Sequence, residues 1–202
     1  MSDPGDAPPV SDPGDAPLSG EDDDRAEVLP ARAKVNLRLL VFERDETGYH
    51  GLETIFARLD LHDRVRVEPA SEGISLEVTG EAAAGVPTGA ENLCWRAARA
   101  YLEVSPHGPG GARIRLDKRV PAGAGLGGGS ADAAAVLRAL DRASRCPLGE
   151  RGLLRLAGEL GSDVPFALLD VPMALGWERG RRLLPLQPPR PLPGLVVVPP
   201  FG

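Results

Sequence analysis

Along residues 29–44, LPARAKVNLRLLVFER, Val35, Leu37, Leu39 and Val41 alternate with Asn36, Arg38 and Leu40. That period of two predicts a strand with one mostly apolar face. GYHGLETIFARLDLHDRVRVEP supplies further strand material at residues 52–59 and 65–67, and GISLEVTG another strand. The period then changes. In NLCWRAARAYLEV, Leu93, Ala97, Ala100 and Val104 fall on one helical face behind Asn92, whose side-chain oxygen suits an N-cap. A second helix is expected to start at Ser130, also a capping residue, with Val136, Leu137 and Leu140 as its apolar stripe. Residues 148–160 repeat the pattern through Leu153, Leu156 and Leu160. ARIRL (112–116), MALGW, RRLLPL and GLVVVP read as further short strands punctuated by Gly and Pro. Antiparallel-looking strands mixed with a few helices predict an α+β fold.

Composition changes this picture mainly at the N-terminus. The chain has 202 residues, 42% hydrophobic and 26% charged, which is enough for one substantial domain with its own core. Residues 1–27 carry nine acids against Arg25 alone, a net charge of −8, whereas residues 28–202 carry 20 acids and 22 bases, a net of +2. The heptapeptide SDPGDAP occurs at 2–8 and again at 11–17. Rich in Pro, Gly and Asp and poor in large apolar side chains, residues 1–27 are expected to be a disordered acidic tail. The nearly neutral body suits an anionic small molecule and gives no reason to expect nucleic acid. No basic start followed by an apolar run marks a signal peptide, and no stretch is apolar enough to span a membrane. Cys94 and Cys146 stand far apart without metal-ligand spacing, so a cytoplasmic protein with reduced thiols is expected.

The candidate chemistry centres on VPAGAGLGGGSADAAAVL, residues 120–137, where five glycines fall between 123 and 129. Bare backbone can wrap closely around a ligand, and the N-terminus of a helix presents unpaired N–H groups and a partial positive charge. Together they describe an anion cradle, most often for phosphate, with an ordinary turn before a capped helix as the alternative. A P-loop needs Lys and then Ser or Thr after its last glycine, and here Ser130 and Ala131 follow Gly129 directly. Residues 123–128 do satisfy G-x-G-x-x-G. However, residues 118–121 separate them from the preceding strand, and DRASRCPLGERG follows the helix where a dinucleotide fold has its second strand and ribose-binding acid.

Lys34 lies in a strand otherwise patterned for burial, and Asp163 lies in LGSDVPF, between a helix ending near Gly161 and a turn at Pro165 and Phe166. Taken singly they read as a snorkelling lysine and a turn or cap aspartate. Flanking a phosphate cradle, they supply a cation for a transferring phosphoryl group and a carboxylate for the proton of an attacking hydroxyl. Tyr49 and His50 combine an aromatic face with an imidazole, suited to a nucleobase or simply to a half-buried ring beside a surface histidine.

In order along the chain, ARAKVNLRLLV, GYHGLETIF, ENLCWRAARA, DKRVPAGAGLGGGSADAAAVLRAL, LGSDVPF and ALGWERGRRLLPL closely resemble the GHMP kinase superfamily. Within it they resemble the family that phosphorylates 4-diphosphocytidyl-2-C-methyl-D-erythritol. The glycine loop marks only the superfamily. GYH and LGSDVPF argue for this family, as does Gly-Gly-Ser-Ala where mevalonate and homoserine kinases generally read Ser-Ser-Ala. The resemblance implies a domain over residues 28–190 with the α+β arrangement called ribosomal protein S5 domain 2-like, and the start of a truncated second domain at 191–202. It implies ATP-dependent transfer to the substrate's 2-hydroxyl, on the non-mevalonate, methylerythritol phosphate route to isoprenoid precursors.

By the same resemblance, Pro121, Ala122, Gly123, Ala124, Gly125, Leu126, Gly127, Gly128, Gly129 and Ser130 surround the ATP phosphates, with Asn92, Leu93 and Lys118 on the adenosine side. Asn36, Tyr49 and His50 hold the cytidine diphosphate and methylerythritol portions, and Lys34 and Asp163 form the catalytic pair. Magnesium is expected with ATP; Ser130 is a candidate contact and no carboxylate stands out as its ligand. Trp177 departs from a segment that is usually small or polar. LVVVPPFG resembles the strand entering the family's second domain. A polypeptide made of these 202 residues alone is therefore expected to expose an apolar inter-domain face, and to be a weak kinase or a nucleotide-binding remnant.

Overall fold

The computed structural model describes residues 27–44, 50–105, 108–144, 148–178, 180, 182–190 and 193–198. Two long antiparallel strands form its spine, β1 (Val28–Arg44) and β2 (His50–Ala70). The two stretches of strand material read in residues 50–70 are one continuous strand. The polar run at His62, Asp63 and Arg64 does not interrupt it, because the Asp63 carboxylate finds partners inside the fold. β3 (Gly73–Thr79) follows, α1 (Leu93–Val104) crosses over, and β4 (Gly111–Asp117) returns parallel to β3. This pairing corrects the antiparallel expectation: parallel neighbours need a long crossover, which α1 and its flanking loops provide.

On the β2 edge away from β1, two strands share the length of β2. Residues 64–70 pair with β4, and residues 53–57 pair with β5 (Met173–Trp177), which carries β6 (Arg182–Pro185) beyond it. The six-stranded sheet therefore forks between residues 57 and 64 of β2. Where β4 leaves the ladder, the Asp63 Oδ1 atom accepts from the backbone N–H groups of Arg119 (2.5 Å) and Val120 (2.7 Å). A buried carboxylate thus replaces the missing strand partner.

α2 (Gly128–Ala143), α3 (Gly149–Leu160) and α4 (Val164–Leu169) complete the helical layer. The main core sets Val65, Val67, Ile114 and Leu116 of the sheet against Tyr101, Val136, Leu137, Leu140 and Leu156. The expected α2 stripe is buried, and so is every residue from 131 to 137, because its alanines let the sheet, α1 and α4 approach on several sides. On α1 the buried face is Cys94, Ala97, Ala98 and Tyr101, rotated from the predicted one. The large ring of Tyr101 is fully enclosed, with its hydroxyl 3.2 Å from Asp141. None of the helices among the described residues is long and apolar enough to cross a membrane.

Two apolar segments depart from the expected pattern. Leu37, Leu39 and Val41, read as the inward face of β1, are exposed. A bulge between Asn36 and Arg38 inserts Leu37 without a partner, and no described residue covers this end of the strand. GLVVV forms no ladder: residues 193–198 take no regular secondary structure and are exposed, since strand-prone residues make a strand only beside a neighbour that takes their N–H and C=O groups.

Candidate active site

Gly127, and not Ser130, precedes the first turn of α2. Its backbone is left-handed (φ 69°), and no side chain caps the helix. The helix starts at Gly128, two residues before Ser130, because the backbone here passes between two lysines. A Cβ on Gly127 would lie 2.8 Å from Lys34 Cε, and one on Gly128 would lie 2.9 Å from Lys118 Nζ and 3.0 Å from Val120 Cγ1. The left-handed backbone and the Lys34 stem together restrict residue 127 to glycine, and at 128 any side chain would crowd Lys118 and Val120. The first N–H groups of a 16-residue helix are thereby left without a side-chain acceptor, at the positive end of its dipole. Ahead of them, Cβ atoms on Gly123 and Gly125 would meet open space, so the loop faces outward there. Leu126 pins the loop by packing with Ala33 and Val120, and its carbonyl accepts from the Lys34 N–H at 2.8 Å.

The glycine positions separate two effects. Gly127→Ala combines left-handed strain of about 1–2 kcal/mol with a clash against the Lys34 stem, whereas Gly123→Ala incurs the strain alone. Urea unfolding of both variants is expected to show the larger loss for Gly127→Ala; equal losses would mean the Lys34 contact is dispensable.

Lys34 is buried on β1 and reaches two groups. Its Nζ lies 3.1 Å from Asp163 Oδ2 and donates to Asn36 Oδ1 at 2.7 Å. Asn36 Nδ2 in turn donates to Thr54 Oγ1 (2.6 Å), whose hydroxyl donates to the Arg38 carbonyl (2.8 Å). This relay fixes which way the Asn36 amide points and aims the Lys34 ammonium. Asp163 stands at the N-cap position of α4 yet makes no capping hydrogen bond; its carboxylate turns to Lys34 instead. α4 is held to β2 by stacked rings, Phe56 on Phe166 at 4.7 Å between centroids, with the Arg58 guanidinium over Phe166.

Beneath the loop, Lys118 Nζ lies between Asp63 Oδ2 and Asp132 Oδ2, the latter at 3.1 Å, and all three side chains are buried. Burial alone lowers the Lys118 pKa, but the charges and hydrogen bonds of Asp132 and Asp63 outweigh it and the net shift is upward. Burial pushes Asp132 well above the usual carboxylate range; Lys118 opposes this and Asp63 adds to it. The Asp132 Oδ1 atom is buried without a hydrogen-bond partner among the described residues. Burial, reinforced by Asp132, also raises the Cys94 thiol well above its ordinary value, so Cys94 is a packing residue and not a nucleophile.

Of the sequence-predicted residues, Lys34, Lys118 and Leu93 come together at the start of α2. Lys34, Asn36 and Asp163 lie on one side of it. Asn92 caps α1 by accepting from the Cys94 N–H (2.8 Å) and donates to the Pro87 carbonyl (2.8 Å). Leu93 comes alongside the first turn, 3.7 Å from where a Gly129 Cβ would stand. The Lys118 ammonium supports the loop from inside. Trp177 is half-buried on β5 opposite Glu53. Tyr49, the His50 side chain and Cys146 lie outside the described residues. Sequence reasoning missed Thr54, Asp63 and Asp132. Only Asp132 carries a local signal, an ionisable side chain inside an alanine run that becomes wholly buried.

Residues 92–175 match the family model described as GHMP kinases N terminal domain. A 4-diphosphocytidyl-2-C-methyl-D-erythritol kinase of Pelotomaculum thermopropionicum is 48% identical over 173 residues, 85% of this chain and 58% of the relative. A crystal structure of 4-(cytidine 5'-diphospho)-2C-methyl-D-erythritol kinase, 48% identical, matches with a TM-score of 0.67, covering 81% of this chain and 56% of that one. The mevalonate kinase of Methanococcus jannaschii, at 14% identity, shares the fold with a TM-score of 0.59, covering 82% of this chain and 57% of its own. The chain thus spans a little over half the length of these relatives.

Proposed function

The chain belongs to the GHMP kinases and carries their N-terminal domain, and from that premise we propose that it is the nucleotide-binding and catalytic part of a 4-diphosphocytidyl-2-C-methyl-D-erythritol kinase. The reading rests on one arrangement above all: a carboxylate withheld from capping its own helix and paired at 3.1 Å with a buried lysine, beside a glycine loop and an uncapped helix N-terminus. ATP bound at the loop supplies the transferable phosphoryl group. The glycine backbone and the first N–H groups of α2 hold phosphate oxygens, and the lack of a Cβ at Gly127 and Gly128 lets that backbone lie against Lys34 and Lys118. The Lys34 ammonium offsets negative charge that grows on those oxygens, and the Asn36–Thr54 relay keeps it aimed. Asp163 accepts the proton of the substrate's 2-hydroxyl.

Magnesium enters with the nucleotide in this scheme. Ser130, at the start of α2, is its candidate protein contact. In this reading Asn36, Tyr49 and His50 are assigned to the cytidyl substrate, and Asn92 and Leu93 to the adenosine. The exposed apolar side chains Leu37, Leu39, Val41 and Leu195 fit a surface that the remaining part of such a kinase covers. The setting is the cytoplasm, with small molecules as the partners.

Transfer of radiolabelled phosphate from ATP tests the reading, with diphosphocytidyl-methylerythritol, mevalonate and homoserine as separate acceptors. Label is expected on the cytidyl substrate. Label on one of the others alone would redirect the proposal within the superfamily, and failure to bind ATP in calorimetric titration would overturn it.

A further inference from the structure

A cavity of about 190 Å³ opens between the N-terminal part of β1, the middle of β2, α2 and the C-terminal end of α4. It lies at the opposite end of α4 from Asp163 and has no part in the phosphoryl-transfer scheme. Arg32, Arg58, Arg138 and Arg142 line it, against the carboxylates of Glu27 and Asp170. Three of the guanidinium groups are engaged. Arg58 donates to Asp170 Oδ1 (2.7 Å) and to the carbonyls of Val171 (3.0 Å) and Phe166 (3.2 Å), fastening the end of α4. Arg138 donates to the Ala167 carbonyl (2.5 Å) and lies 3.3 Å from Asp170 Oδ2. Arg142 pairs with Glu27 at 2.5 Å on the exposed rim. Arg32, half-buried, has no hydrogen-bond or ion-pair partner among the described residues.

The formal charge of this lining is positive by two. Burial lowers the pKa of Arg58 and of Arg138; Asp170 opposes the shift, and the nearby charge of Arg32 adds to it in both cases. A concave wall of like charges, with one planar fork of donors left unused, is the surface that a compact oxyanion completes. We propose that this cavity binds a phosphate dianion, with Arg32 as its principal ligand and Arg138 and Arg142 beside it. The site goes beyond the kinase reading and does not depend on it.

Inorganic phosphate is the probe, titrated against the thermal midpoint of the protein at ionic strength matched with chloride. A saturating non-hydrolysable ATP analogue fills the glycine loop throughout. Phosphate is expected to raise the midpoint still further. Arg32→Gln, which breaks no hydrogen bond or ion pair among the described residues, is expected to need about tenfold more phosphate for the same rise. Glu27→Gln, which removes a competing carboxylate at an exposed position, is expected to need less. Identical phosphate dependence in Arg32→Gln and the parent protein would overturn the proposal, as would an equal rise with chloride alone. A rise that the ATP analogue abolishes would place phosphate in the glycine loop and overturn it too. Failure of the kinase reading is seen separately, as failure of the analogue itself to bind.

Discussion

Asp163→Asn is expected to lower turnover by about 10²–10⁴-fold, the usual contribution of a positioned general base, while ATP affinity changes little. The amide is nearly the same size as the carboxylate, and α4 is held by the Phe56–Phe166 stack and by Arg58, not by Asp163, which makes no capping bond. The loss should therefore appear in kcat rather than in the folding midpoint. Lys34→Met makes the companion test, because it keeps an apolar stem for Gly127 to pack against and removes only the charge. It too is expected to reduce kcat sharply. Normal turnover in both variants would show that the pair at 3.1 Å is a structural ion pair and that the chemistry lies elsewhere.

Lys118→Met is expected to destabilise the fold by about 3–5 kcal/mol, the range for breaking a buried ion pair by removing one partner. It leaves Asp63 and Asp132 facing each other without their shared cation. Urea unfolding at neutral pH measures the loss; a cost below that of an ordinary surface substitution would mean that water or rearrangement rescues the carboxylates. The pH dependence has a definite sign. Because the folded pKa of Lys118 is raised, its contribution is complete below the unfolded value of about 10.4 and is lost as pH rises through the folded value. The parent protein thus keeps this stabilisation at neutral pH and gives it up only in strong alkali. In Lys118→Met the two carboxylates repel each other, so the variant should regain stability as the pH is lowered and Asp132, whose pKa burial already raises, takes up a proton. Adding Asp132→Asn to Lys118→Met removes that repulsion at every pH and is expected to recover part of the loss.

Much of the site was legible in short stretches of chain. Five glycines at the mouth of an alanine-rich helix announced the candidate cradle, and Asn92 announced the start of α1, where it does accept the Cys94 N–H. Each signal is confined to a few neighbouring residues: a backbone conformation only glycine adopts readily, or a side chain that bonds two positions on. The start of α2 was misread for a related reason. Ser130 is the better capping residue by type, but the close passage of the chain between Lys34 and Lys118 makes Gly127 and Gly128 the turning point. That crowding involves residues far away in the chain.

By itself the sequence determined the α+β class, the glycine loop with the helix behind it, and the residue types available for chemistry, because period, glycine content and capping act over one or two turns of chain. Only the tertiary structure decided the rest. It set Asp63 beside Lys118, 55 residues on, and turned Asp163 away from its own helix toward Lys34. It placed α1 so that β3 and β4 run parallel, and left Leu37, Leu39 and Val41 uncovered although their pattern reads as buried. The physical reason is the same in each case. A buried charge or an apolar face takes its environment from whichever distant segment packs against it, and no pattern of local spacing carries that information.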